Sequence, residues 1–162
     1  MIRSDPLLHL LARFAEERVE YVLIGGQAVR LNGFVRATED VDVLIRAGRE
    51  NGERIKRAMN FLPSAAELEL QWFDPQHGEV ENIRVADELL VDLLFAANGE
   101  TYETVQPHIR QIEIDGVTLR VLDIDGLLKT KTDYREKDLL DKRMLEKIKR
   151  GLDPQKSSEY PG

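Results

Sequence analysis

Apolar residues recur along the chain at two spacings, and together these spacings predict a mixture of helices and strands. Over residues 6–18 the leucines and Phe14 recur at helical intervals, which predicts an amphipathic helix. The apolar run that follows ends at Gly25 and Gly26, and "DVDVLI" forms a second such run; each is typical of a short buried strand. The sequence "QAVRLNG" between them predicts a two-turn helix, and the residues leading up to Pro63 contain a further helix.

The second half of the chain is predicted to be richer in strands. The segments "LELQWF", "EVENIRVA" and "ELLVDLLFA" have strand-like composition, with "DPQHG" as the turn between the first two. A short helix is expected over residues 98–105, and two alternating runs around Asp115 and Gly116 are typical of a β-hairpin. Two helices follow, the second ending at Gly151, and the polar residues 153–162 are expected to form a disordered tail.

This order of elements predicts an α/β (α+β) fold with a mixed β-sheet, flanking helices and a helical C-terminus. The order lacks the repeated βαβ pattern of a doubly wound sheet. At 162 residues the chain is long enough for one domain with a substantial core, which we assign to residues 1–152.

Composition and charge narrow the possible chemistry. Cysteine is absent, so any metal must be held by oxygen or imidazole ligands. The formal net charge of −7 argues against broad electrostatic binding of nucleic acid, although it is compatible with a local basic patch. Neither the apolar runs nor the N-terminus resembles a membrane span or a signal peptide, so we expect a cytoplasmic protein with no membrane partner.

Asp40 and Asp42 are separated by one residue within an apolar run. Side chains at positions i and i+2 of a strand point to the same face, roughly 6.5 to 7 Å apart, so these two carboxylates share a face while Val41 and Val43 pack on the other. Neighbouring carboxylates repel each other, and a divalent cation between them would remove the conflict. With oxygen ligands alone, Mg²⁺ or Mn²⁺ is favoured. The alternative is that the strand ends here and both aspartates face water.

Two other features bear on this choice. Gly25 and Gly26 lie between a strand and a helix, where glycine lets the backbone approach a phosphate closely, although a tight turn explains the pair equally well. Asp92 is the only charged residue between Leu89 and Ala97, and a buried carboxylate is costly unless it is paired. Asp92 therefore either pairs with an arginine, caps a neighbouring element or completes a metal site.

Taken together, these residues resemble the motif of the nucleotidyltransferase superfamily, which has the fold of DNA polymerase beta. That motif is a strand ending in Gly-Gly or Gly-Ser, a short helix, a strand carrying Asp-x-Asp, and a third carboxylate on a later strand. Thirteen residues separate Gly26 from Asp40, which is within the usual range of the superfamily. The fuller pattern "GGQAVRLNGFVRATEDVDVLI" most resembles the abortive-infection toxin-type nucleotidyltransferases, in which a glycine, an arginine and a threonine precede the aspartates, as Gly33, Arg36 and Thr38 do here.

The resemblance implies a metal-dependent enzyme that transfers an NMP from a nucleoside triphosphate and releases pyrophosphate. It implies that Gly25 and Gly26 contact the phosphates of the triphosphate. It also implies that Asp40, Asp42 and Asp92 hold Mg²⁺ or Mn²⁺. Asp92 would complete the shell of a second ion or act as the base.

Further residues receive a role from the same resemblance. Lys129, on the first C-terminal helix, would contact a phosphate and neutralise charge on the transferred group. Arg36 would either reach a phosphate or pair with a neighbouring carboxylate, and Thr38 would either bond a phosphate or satisfy the local backbone. Lys137 and Asp138 match a Lys-Asp pair on the second closing helix of the family, although ion pairs within this highly charged helix explain them too.

The sequence leaves the acceptor open. A toxin of this branch would act on tRNA and would have an antitoxin partner protein, whereas other transferases modify a protein side chain or a small molecule. The alternative function is a catalytically inactive binding or regulatory module with the same fold. Loss of a metal carboxylate would be the sign of such a module.

Overall fold

A computed structural model of the protein describes residues 6–31, 40–74, 82–132 and 135–152. Within these ranges the strands are β1 (Tyr21–Ile24), β2 (Asp40–Ile45), β3 (Asn82–Ala86), β4 (Leu90–Leu94), β5 (Ile109–Ile114) and β6 (Val117–Leu122). The helices are α1 (Pro6–Glu16), α2 (Gly25–Leu31), α3 (Arg49–Ala58), α4 (Ile124–Thr130) and α5 (Glu136–Leu152). Three short 3₁₀ helices cover Pro63–Glu67, Leu70–Phe73 and Gln106–His108.

The six strands form one mixed sheet in the order β3-β4-β2-β1-β6-β5. β1 pairs antiparallel with β2 and parallel with β6, and β2 pairs parallel with β4. The two outer pairs, β3 with β4 and β5 with β6, are antiparallel. In β2, Val41 and Val43 are buried while Asp40 and Asp42 are only partly so. The strand is therefore apolar on one face and acidic on the other, as its sequence predicts.

The hydrophobic core is built around the central strands. All four residues of β1 are buried, and α1 packs against both β6 and α3. Leu10, Leu11 and Phe14 of α1 and Ile55 of α3 are fully buried, because their helical spacing places them on the inward faces of these two helices. The predicted α+β class with a mixed sheet and a helical C-terminus is confirmed.

The prediction of a hairpin around Asp115 and Gly116 is also confirmed. These two residues join β5 to β6 and have φ values of 52° and 81°. A two-residue turn with two positive φ values matches the right-handed twist of the flanking strands, and Asp-Gly tolerates that backbone well.

The prediction of a strand over "LELQWF" is wrong. Leu70–Phe73 forms a 3₁₀ helix, and Phe73 is fully buried against α3. The backbone N–H of Gly48 donates to the carbonyl of Phe73 at 2.6 Å, and a Cβ on Gly52 would lie 2.6 Å from the Phe73 ring. Tertiary packing onto α3 has overridden a strand-like composition.

The prediction of a helix over residues 98–105 is wrong as well. Asn98 and Gly99 have φ values of 50° and 81°, and Ala97 and Glu100 form an isolated β-bridge. A right-handed helix requires negative φ, so this segment begins as a tight turn. The backbone N–H groups of Thr104 and Val105 donate to the carbonyl of Thr101, which closes a further turn without extending into a regular helix. At the other end of the chain, α5 continues through Gly151 to Leu152.

Three predictions fall outside the described residues: the closing glycine Gly33, most of the "DPQHG" turn and the tail at residues 153–162. None of the described helices is both long enough and apolar enough to cross a membrane.

Candidate functional site

The three predicted metal carboxylates lie on neighbouring strands. In the parallel pair of β2 and β4, Asp42 is directly opposite Asp92, and in the antiparallel pair of β1 and β2 it is opposite Ile24. Paired residues of adjacent strands point to the same face of a sheet, so this register brings Asp92 to the face that Asp40 and Asp42 share. All three line one cleft of about 290 Å³.

Gly25 and Gly26 begin α2 directly after β1 and line the same cleft. The φ of Gly25 is 72°, in the left-handed region that favours glycine. A Cβ at this position would overlap Oδ2 of Asp42 and would lie 3.0 Å from both its Cβ and its Cγ. Glycine is therefore required here both by the backbone conformation and by the space that the Asp42 carboxylate occupies.

Arg84, which the sequence did not single out, holds Asp92. Its Nε and Nη2 donate to Oδ1 and Oδ2 of Asp92 at 2.8 and 2.9 Å, forming a two-point ion pair. The Nη2 atom of Arg84 also lies 3.8 Å from Oδ2 of Asp40. Of the three alternatives that the sequence left for Asp92, the structure shows the arginine pair.

The electrostatics of this group follow from the pairing. The hydrogen bonds to Asp92 and then its charge raise the pKa of Arg84 above its ordinary value, with smaller contributions from Asp40 and Asp42, and they outweigh the opposing effect of burial. Arg84 is therefore a permanent cation among these carboxylates.

A signal for Arg84 is present in the sequence. Residues 87–89 connect β3 to β4, and Arg84 and Asp92 are equally distant from the middle of that connection. If "NIRVADELLVDLL" is recognised as a hairpin, the antiparallel register places the two residues opposite each other.

The C-terminal part of the chain supplies another wall of the cleft, formed by Thr130, Lys131, Arg135 and Asp138. Asp138 accepts hydrogen bonds from the backbone N–H and the Oγ1 hydroxyl of Thr132 at 2.9 and 2.7 Å. Burial by itself raises the pKa of Asp138, but these two hydrogen bonds and the charges of Lys131 and Arg135 lower it below its ordinary value. Asp138 is therefore an anionic group of the cleft.

Lys131 and Asp141 form a buried ion pair beside this wall. The distance from Nζ to Oδ2 is 3.1 Å, and the exposed fractions of the two side chains are 6% and 1%. Asn98 donates to the carbonyls of Lys129 and Lys131 at 3.1 and 2.9 Å, which fixes the C-terminal end of α4 against the turn after β4.

Lys129, by contrast, is an exposed residue, and among the described residues it is not one that lines the cleft. The cations that line the cleft from this side are Lys131 and Arg135. Arg36 and Thr38 lie outside the described residues.

The acidic side chains of the cleft differ in their surroundings. Within the ranges that the structure describes, no group of three or more acidic or histidine side chains is arranged to hold a metal ion. Both oxygens of Asp92 accept hydrogen bonds from Arg84, and the metal role of Asp92 stays a prediction. Asp40 and Asp42 form a pair of carboxylates at the cleft, a set that Mg²⁺ accepts when phosphate oxygens and water complete the shell.

Three solved structures share the fold of this protein. A candidate nucleotidyltransferase from Thermotoga maritima superposes with a TM-score of 0.52 at 17% identity, over 89% of this chain and 86% of its own. ANT(2'')-Ia in complex with adenylyl-2''-tobramycin gives 0.52 at 15% identity, over 96% of this chain and 97% of its own. The solution structure of the antibiotic-resistance factor ANT(2'')-Ia gives 0.51 at 16% identity, over 94% and 90%.

The superpositions show a shared fold, and the predicted nucleotidyltransferase fold is thereby confirmed. No protein-family model matches the sequence, and no curated protein matches it either.

Proposed function

We propose that the protein is a nucleotidyltransferase that moves an NMP from a nucleoside triphosphate to an acceptor and releases pyrophosphate. One observation carries this proposal: the Gly25-Gly26 turn lines the same cleft as Asp40 and Asp42, and Gly25 lies in direct contact with the Asp42 carboxylate. The nucleotidyltransferase fold of the neighbours supports it.

The triphosphate would lie along Gly25 and Gly26, because a backbone without side chains lets phosphates approach its N–H groups. Asp40 and Asp42 would hold Mg²⁺ or Mn²⁺. When bound, such an ion neutralises the triphosphate and stabilises charge that develops during the in-line displacement.

Arg135 is a cation on the far wall of the cleft, and we assign it to the phosphates. Lys129, the residue that the family motif favours, lies outside the cleft lining, so its phosphate contact rests on the motif alone. Lys131 is less suited to this task because it is buried and bonded to Asp141. Asp138 lies in the cleft as an anion and would accept a hydrogen bond from the acceptor hydroxyl. Arg36 and Thr38 keep the phosphate-binding roles that the motif gives them, as proposals.

For the acceptor we propose a hydroxyl group of RNA, as in the toxin-type branch that the sequence resembles. A toxin of this type would also have an antitoxin as its partner protein. ANT(2'')-Ia is bound to adenylyl-2''-tobramycin in one of the neighbouring structures, so a small hydroxyl-bearing molecule is the second acceptor class to test.

The experiment is a transfer assay with each of the four α-labelled nucleoside triphosphates, Mg²⁺, and either total tRNA, tobramycin or cell extract. Asp42→Asn removes one metal carboxylate with little change in size, and we expect it to lower transfer by about 100-fold or more. Asp115→Asn is the matched control, because Asp115 is exposed in the β5-β6 turn and asparagine accepts its positive φ.

The outcomes separate the proposal from its alternative. Transfer by the wild type and by Asp115→Asn, but not by Asp42→Asn, supports the enzyme. Binding of a triphosphate without transfer to any acceptor would instead favour the catalytically inactive module.

A further inference from the structure

Arg84 lies where three carboxylates converge, and its position is built into the sheet. The pairing of β3 with β4 places Arg84 directly opposite Asp92, so the backbone register sets this contact. Both oxygens of Asp92 are engaged, at 2.8 and 2.9 Å. A metal ion at Asp92 would compete with this two-point pair for the same two oxygens.

Burial makes that displacement costly. The side chain of Asp92 is 10% exposed, whereas that of Arg84 is 54% exposed. Removing the partner of a buried charge is strongly destabilising, because the charge left behind has lost its solvent and its counter-ion. Arg84 thus neutralises a carboxylate that the interior of the sheet could not hold alone.

The same guanidinium extends toward the remaining carboxylates. Its Nη2 atom lies 3.8 Å from Asp40, and Asp42 is the residue paired with Asp92 on the next strand. Arg84 thus places one positive charge next to Asp92 and near Asp40, which weakens the attraction of this side of the cleft for a second divalent ion.

We propose that Arg84 is the resident counter-cation of Asp92 and restricts the cleft to one divalent ion, held at Asp40 and Asp42. This inference rests on the proposed function, because it concerns the metal of that same site. Arg84 is a positioning residue in this role: it keeps Asp92 out of the metal shell and fixes the number of ions that the cleft accepts.

The test is a titration of the folded protein with Mn²⁺ alone, in which the bound ions per chain are counted by electron paramagnetic resonance. We expect the wild type to bind about one Mn²⁺, and Arg84→Gln to bind about two, because Asp92 then faces Asp42 without a counter-ion. Arg84→Lys retains the positive charge and should stay at about one ion per chain. Arg49→Gln, at an exposed arginine outside the cleft lining, is the matched control and should behave as the wild type.

Two further variants guard against a loss of folding. Arg84→Gln combined with Asp92→Asn removes the pair as a whole, which is better tolerated than leaving one buried charge, and it should return the count to about one. Asp42→Asn in the wild-type background should lower Mn²⁺ binding itself. Circular dichroism of each variant verifies that the fold is retained.

Two bound ions in the wild type would overturn the inference, and so would an unchanged count in folded Arg84→Gln. If the wild type binds two ions and also transfers label, the proposed function stands and only the role assigned to Arg84 is wrong. A wild type that binds no Mn²⁺ on its own overturns the inference, whereas the proposed function is judged separately by the transfer assay, in which triphosphate oxygens complete the metal shell.

Discussion

The carboxylate of Asp42 lies against Gly25, at the place where any other residue would carry its Cβ. The contact joins the first residue of α2 to the middle of the acidic face of β2. Because α2 packs against β2, the glycine turn and the carboxylate form one unit. A side chain at position 25 would displace the Asp42 carboxylate.

Gly25→Ala should therefore damage the site more than the fold. The positive φ of 72° costs an alanine roughly 1–2 kcal/mol, and the added methyl must also push the Asp42 carboxylate aside. We expect a loss of stability of this order in urea unfolding, together with a fall in nucleotide transfer of about 100-fold.

Gly99→Ala is the control for the backbone penalty alone. Its φ is 81°, and a Cβ there would meet nothing within 4 Å. We expect a similar loss of stability and unchanged transfer. If Gly99→Ala lowered transfer as much as Gly25→Ala, the effect would be one of stability and not of the Asp42 contact.

Local pattern in the sequence was sufficient for the elements that carry the site. The strand before Gly25, the acidic face of β2 and the Asp115-Gly116 hairpin all follow from the spacing of neighbouring residues, and the structure has them. These features depend on propensity and alternation over a few residues, which a single sequence records directly.

The features that sequence analysis missed depend on how one element pairs or packs with another. Arg84 resembles any solvated arginine on a half-exposed strand until the register places it opposite Asp92. Leu70–Phe73 became a 3₁₀ helix because Phe73 packs against Gly52 of α3. In both cases the deciding partner comes from another element, and local propensity contains no information about it.

Thr132→Val should cost more stability at neutral pH than in acid. The hydroxyl of Thr132 donates to Asp138 at 2.7 Å, and the pKa of Asp138 is lowered from its ordinary value of 3.8. A carboxyl group with a lowered pKa stabilises the folded state at pH values above 3.8, and this contribution is lost as the pH falls through the folded pKa. Loss of the hydrogen bond to the charged group should cost about 1.5–3 kcal/mol at pH 7. The same hydroxyl accepts from the backbone N–H of Arg135 at 3.2 Å, and loss of that bond adds a smaller cost that does not depend on pH.

Thr130→Val is the matched control, because its hydroxyl donates to the carbonyl of Leu127 and not to a carboxylate. Urea unfolding of both variants between pH 7 and pH 3 measures the effect. The cost of Thr132→Val should shrink toward the acid end, whereas the cost of Thr130→Val should stay constant. A constant cost for both would mean that Asp138 does not titrate through this contact.

The buried pair of Lys131 and Asp141 should be strongly coupled in a double-mutant cycle. Asp141→Asn removes the buried carboxylate paired with Lys131 and should cost about 3–5 kcal/mol, and Lys131→Met removes the buried cation of the pair at a similar cost. The double variant should cost less than the sum of the two, since the contact between the two charges is lost only once.

The exposed pair of Glu50 and Arg54 provides the comparison: their 2.8 Å contact is on the surface of α3, and Glu50→Gln should change stability by less than about 1 kcal/mol. Additive costs at Lys131 and Asp141 would show that the pair is not what fixes the end of α4 to α5. Coupling, in contrast, would identify it as a contact that holds the C-terminal wall of the cleft, which includes Arg135 and Asp138, in place.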